Sequence, residues 1–148
     1  RHYTETELGP ALFYRYDEDA VRLDTFLADR RDRLTLLDRL ERVRQLAETL
    51  QYAHRQGVVH RALCPASIVV VHPDAARPQL RLRDWHAGFD VEATVGQTRA
   101  ATRHADLLVD DPARCYLAPE ALRAEPEDGA RLDVFGFGVV AFHVLTGG

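Results

Sequence analysis

The sequence predicts an α+β domain, mainly helical, with short β-hairpins. Three stretches carry that prediction. From Thr35 to Ala53, apolar residues recur every three or four positions, the mark of an amphipathic helix. Gly57 to Val71 reads G-V-V-H-R-A-L-C-P-A-S-I-V-V-V, two short apolar runs around a polar turn. Asp133 to Gly147 is apolar nearly all round, which reads as a buried core helix.

The elements follow in order. Gly9-Pro10 is a turn signal, and Ala11 to Tyr14 reads as a strand. Arg15 to Ala20 is a polar connection, and Val21 to Leu27 carries a short helix pattern. The long helix opens at Thr35, with Asp38 three residues on, close to a capping box. Leu36, Leu37, Leu40, Val43, Ala47, Leu50 and Ala53 are expected on its buried face, and Arg39, Arg42, Arg44, Glu48 and Gln51 on a solvated one. Gly57 supplies the stop. Pro65 cannot donate to a ladder, so Leu63 to Ser67 reads as a loop between strands Val58-Val59 and Ile68 to Val71. A loop on such a platform is where chemistry tends to sit. His72 to Pro78 is a turn, Leu80 to Leu82 alternates like a strand, and Asp84-Trp85-His86 follows. Gly88 to Arg114 is long and polar and ends in Cys115-Tyr-Leu-Ala-Pro-Glu120.

With 148 residues the chain is one domain at most, large enough for a core. A net charge of -4 gives no reason to expect nucleic acid or an anionic membrane as partner. The longest apolar candidate, Val134 to Leu145, is too short to span a bilayer and carries His143. All 19 basic residues are Arg, and there is no Met, so the sequence reads as a piece of a longer protein. Heavy use of Arg, Ala, Asp and Leu fits a high-GC bacterial genome. Cys64 and Cys115 make no disulfide framework, so two free thiols and a reducing cytoplasm are expected.

The loop His60-Arg61-Ala62-Leu63-Cys64-Pro65-Ala66-Ser67 resembles the catalytic loop of protein kinases, H-R-D-L-K-P-x-N before an apolar strand. Three other signatures follow in kinase order: Asp84-Trp85-His86 in place of D-F-G, Ala118-Pro119-Glu120 as A-P-E, and Asp133 opening an apolar helix. The resemblance implies a kinase-like fold. Residues 1–16 would end the N-lobe and begin the hinge, and residues 17–148 would be a partial C-lobe. It implies ATP and Mg²⁺ as cofactors, with Tyr14 and Tyr16 at the hinge, Val69 as the apolar floor and Asp84 as a metal ligand. Trp85, Glu120 and Asp133 would be structural, Asp133 capping its helix and holding the loop backbone. Thr98 and Thr102 would be phosphate acceptors, with Arg61 as partner.

Three positions depart from the kinase pattern. The Asp that would orient the substrate hydroxyl is Ala62, the Lys is Cys64, and the metal-holding Asn is Ser67. The Thr that usually bonds that Asp and Lys is Ala113. A mutually bonded set lost together points to abandoned phosphotransfer: a pseudokinase that regulates or scaffolds, through a protein partner or other domains of the same chain. An active kinase using Asp110, Asp111 or His86 as base is the alternative. A metal site of His60, Cys64 and His86 is a third reading, without the usual ligand spacing. Arg83 beside Asp84 raises the question of an ion pair, which strand alternation opposes.

Overall fold

The computed structural model describes residues 2–6, 9–13, 17–85, 89–90, 112–123 and 129–147. Tyr14, Tyr16, His86, Thr98, Thr102, Asp110 and Asp111 lie outside the described residues.

Strands β1 (His2–Thr6) and β2 (Gly9–Phe13) form an antiparallel hairpin, in register from His2 opposite Phe13 to Thr6 opposite Gly9. Gly9 and Pro10 therefore lie within β2 and not in a turn. Each strand of a two-stranded hairpin has a free edge, so Pro10 need not supply a ladder N–H there. Next, β3 (Val21–Arg22) runs straight into α1 (Leu23–Asp29). The expected helix loses its first two residues because Val21 and Arg22 pair with Val70 and Val69. Leu23, Phe26 and Leu27, at helical spacing, are buried.

Helix α2 (Leu36–Arg55) has the expected capping box. Asp38 N–H donates to Thr35 Oγ1 at 3.2 Å and Thr35 N–H to Asp38 Oδ2 at 2.9 Å. Gly57, at φ +70°, ends it in the left-handed region that favours glycine. The buried face is the expected one only in its second half, where Leu50 and Ala53 are buried and Val43 packs against the core. It comprises Arg39, Arg42, Leu46, Leu50 and Ala53, whereas Leu36, Leu37 and Leu40 are exposed. The Arg39 guanidinium is buried on two backbone carbonyls and the Arg42 guanidinium on one. Arg39 donates to Val144 O at 2.7 Å and to Arg31 O at 3.0 Å, and Arg42 to Pro78 O at 2.6 Å. Their aliphatic stems extend the apolar stripe toward the start of the helix.

The two strands flanking the His60–Ser67 loop belong to different sheets. β4 (Val58–Val59) pairs with β7 (Phe89–Asp90), which lies within the stretch expected to be irregular. β5 (Ile68–Val71) is the centre of a sheet ordered β3–β5–β6, with β6 covering Gln79–Leu82. All four residues of β5 are buried. A 3₁₀ turn (Pro112–Tyr116) and the short helix α3 (Pro119–Arg123) precede α4 (Gly129–Thr146).

Helix α4 begins earlier than expected and is buried along one stripe only. Leu132, Asp133, Gly136, Val140 and Val144 are buried, while Val134, Phe135, Phe142 and Leu145 are exposed. At 18 residues it is long and apolar enough to cross a bilayer by length and composition, unlike the shorter span read from the sequence. Its buried stripe packs into the core. Val140 and Val144 join Leu23, Phe26, Leu46, Leu50, Leu63, Ile68 and Val70 in one cluster. Leu63 carries the middle of the loop into that cluster. Gly136 makes the approach close, since a Cβ there would lie 3.2 Å from both Leu63 O and Leu63 Cβ.

Candidate functional site

The site is the His60–Ser67 loop together with Arg83 to Trp85, above the start of α4. Asp133 organises it from below. Its carboxylate is fully buried and accepts from His60 N–H at 2.7 Å and Arg61 N–H at 2.6 Å. His54 Nε2 meets the same carboxylate at 2.8 Å. Asp133 lies in the second turn of α4, so it does not cap that helix; it holds the loop backbone. Arg61 takes φ +68°, a left-handed conformation costing about 1–3 kcal/mol in a non-glycine residue, and the Asp133 bond secures it.

His60 joins the loop to the segment after β6. Its ring is fully buried, and Nε2 donates to Arg83 O at 2.7 Å. Nδ1 accepts from Ala62 N–H at 3.4 Å, so the ring is engaged through both nitrogens and is not a metal ligand. Trp85 packs edge-on against it, with ring centroids 4.8 Å apart, and its indole N–H donates to Leu82 O at 3.1 Å. Arg83 N–H in turn donates to Ser67 O at 2.8 Å. Both ends of the loop are therefore fixed to the segment that carries Asp84.

Ala62, Cys64 and Ser67 are all buried. Ala62 packs against Leu117, so the methyl stands where the resemblance would put a carboxylate, and apolar carbon closes over it. The Ser67 hydroxyl donates to Cys64 O at 2.9 Å and accepts from Cys64 N–H at 3.1 Å. That hydroxyl serves the 3₁₀ turn Pro65–Ser67 and is not turned to a metal. Asp84, at φ +59°, makes no hydrogen bond or ion pair with another described residue, Arg83 included. Of the two metal positions implied by the resemblance, one carboxylate remains, so the residues present do not make the expected magnesium site. Val69, the implied floor, is buried on β5, and Glu120 is exposed on α3. Cys64 is a buried free thiol and Cys115 an exposed one. Burial first, and then the negative charge of Cys64 and Cys115 as thiolates, push the Tyr116 phenol above its ordinary value.

The sequence reading missed His54, Arg39 and Arg42 as organising residues. The signal was present: His54 follows Leu50 by four positions on the buried side of α2, Arg42 precedes Leu46 by four, and Arg39 precedes Arg42 by three. A polar residue on an apolar stripe asks what it bonds.

The family model for the protein kinase domain matches residues 18–148. The chain belongs to the protein kinase family. Its α+β architecture is accordingly kinase-like. Among relatives, "Probable kinase PglW" of Streptomyces coelicolor is 35% identical over 157 residues, covering 94% of this kinase chain and 10% of the relative. "Serine/threonine-protein kinase Pkn1" of Myxococcus xanthus is 35% identical over 103 residues, covering 70% and 14%. "Serine/threonine-protein kinase PknF" of Mycobacterium tuberculosis is 35% identical over 107 residues, covering 72% and 21%. The kinase chain thus spans between a tenth and about a fifth of the length of these relatives.

Proposed function

We propose that this kinase-family domain is a pseudokinase: it keeps the scaffold of the phosphotransfer site, does not transfer phosphate, and acts through protein contacts. One observation carries the reading. The general-base position is Ala62, buried against Leu117 in a loop held by Asp133. The loop is folded and anchored, so what is missing is the acceptor and not the architecture. A positioned base contributes about 10²- to 10⁴-fold. Loss of the Lys and of one metal position compounds that, though such losses need not multiply. The contacts would be with other domains of a longer chain or with a separate protein, in the cytoplasm.

The second reading is an active serine/threonine kinase with another base, favoured by the names of the Pkn1 and PknF relatives. Radiolabelled phosphate transfer from ATP by the full-length protein separates the two. No transfer above a blank is expected. Transfer that disappears in Asp84→Ala would overturn the pseudokinase reading.

A further inference from the structure

The β3–β5–β6 sheet has one face in the core and one outside it. Val21, Ile68, Val70, Leu80 and Leu82 join the core cluster. Residues paired across strands share a face, so Arg22, Val69 and Arg81 stand side by side on the outer one. Ser67 and Arg83 extend that row by one step, since Arg83 N–H donates to Ser67 O at 2.8 Å. His60 Nε2 holds Arg83 O at 2.7 Å. The Arg83 backbone is thus gripped from both ends of the His60–Ser67 loop. Its side chain is exposed and makes no hydrogen bond or ion pair with another described residue. The neighbouring arginines differ: Arg22 is paired with Asp24 and Arg81 with Asp17.

We propose that Arg83 binds the phosphate oxygens of a nucleoside di- or triphosphate at this site without a divalent metal. The proposal rests on the pseudokinase reading, in which a nucleotide is held and not consumed. Arg83 is bonded through its backbone to one implied metal position, Ser67, and is the chain neighbour of the other, Asp84. The Ser67 hydroxyl is committed to Cys64, which leaves a metal short of ligands there. A guanidinium needs no deprotonation and offers two parallel N–H donors that match phosphate geometry. Asp17 and Asp24 neutralise their own arginines, so among the described residues of this row Arg83 is the arginine without an ion-pair partner, and an arriving anion meets it with Asp84 as a repelling charge.

Calorimetric titration of the full chain with ATP in EDTA tests this, with tripolyphosphate as competitor. ATP should bind in EDTA. Arg83→Ala should weaken binding roughly ten- to a hundredfold, the loss of hydrogen bonds to a charged group. Arg83→Lys should fall between, and Asp84→Asn should tighten binding in EDTA. Arg83 is exposed, so unchanged unfolding midpoints will show that its variants remain folded. Binding that requires magnesium, that survives Arg83→Ala in EDTA, or that is absent with and without magnesium overturns the proposal and leaves the pseudokinase reading standing. Phosphate transfer lost in Asp84→Ala overturns the pseudokinase reading instead.

Discussion

Replacing Asp133 with Ala removes the carboxylate on which three groups converge. Two of them are backbone N–H groups, His60 at 2.7 Å and Arg61 at 2.6 Å, and neither can be moved without moving the loop. The third, His54, has a side chain 24% exposed and can turn to water. Orphaning a buried donor costs about 1–3 kcal/mol, so two such donors cost about 2–6 kcal/mol. The variant no longer buries a carboxylate, which offsets part of that. A net loss of about 3 kcal/mol is expected, a large share of the roughly 5–15 kcal/mol that holds a domain together. Asp133→Asn should lose less, because its amide oxygen still accepts one N–H while its NH₂ faces the other donor. Urea unfolding gives the global figure. Hydrogen exchange of the His60 and Arg61 amides gives the local one, and both should lose protection first. Unaltered protection of those amides in Asp133→Ala, with a stability loss under about 0.5 kcal/mol, would refute the claim that Asp133 holds the loop.

Arg39 bonds a carbonyl in the last turn of α4, where helix carbonyls lack internal partners, so Arg39→Ala should cost about 1.5–3 kcal/mol in urea unfolding; no change would contradict the buried assignment. The two glycines in the interior of α4, Gly136 and Gly138, should respond differently. A Cβ at Gly138 meets nothing within 4 Å, so Gly138→Ala should gain about 1 kcal/mol in helix propensity. At Gly136 the Cβ presses on Leu63, so an overpacking cost of about 1–3 kcal/mol should cancel or exceed that gain, as thermal unfolding of both variants will show. Hydrogen bonds from Arg44, then Gln45, hold Glu41 at about 2, well below its ordinary value. The native state therefore favours the ionised form: its contribution is full above the ordinary carboxyl range and fades as pH falls toward 2. Glu41→Gln should flatten the decline of the unfolding midpoint between about pH 5 and pH 2, modestly because the group is solvent-exposed; parallel curves would show that the Arg44 contact does not form in solution.

The parts of the site set by local chemistry were legible in the sequence. Pro65 marks the loop, β-branched Ile68 to Val71 mark the buried strand, Thr35 and Asp38 mark the start of α2, and Gly57 its end. What depends on a distant partner was not. Spacing places Arg39 and Arg42 on the buried stripe, but the carbonyls that make their burial tolerable, at Val144 and Pro78, lie on distant elements that α2 does not name. The exposure of Leu36, Leu37 and Leu40 follows from the same rotation of the helix. Val21 and Arg22 became a strand because β5 offered a free edge. The role of Asp133 was read from resemblance, yet its place in the second turn of α4, where it serves the loop and does not cap, depends on a helix start at Gly129 that the apolar run did not mark. Among the implied metal positions, residue type hinted at the loss at Ser67, but only the bonds to Cys64 show where its hydroxyl went.

The central claim is that phosphate transfer has been lost from an intact scaffold, and single-turnover chemistry measures it most directly. Active kinases turn over at about 1–100 s⁻¹, so losing the base alone would still leave about 10⁻⁴–1 s⁻¹. Excess full-length protein over radiolabelled ATP and magnesium, followed for hours, reaches that range. The wild-type chain and Asp84→Ala should give the same trace, with transfer below about 10⁻⁴ s⁻¹. A faster wild-type rate that Asp84→Ala abolishes would contradict the account.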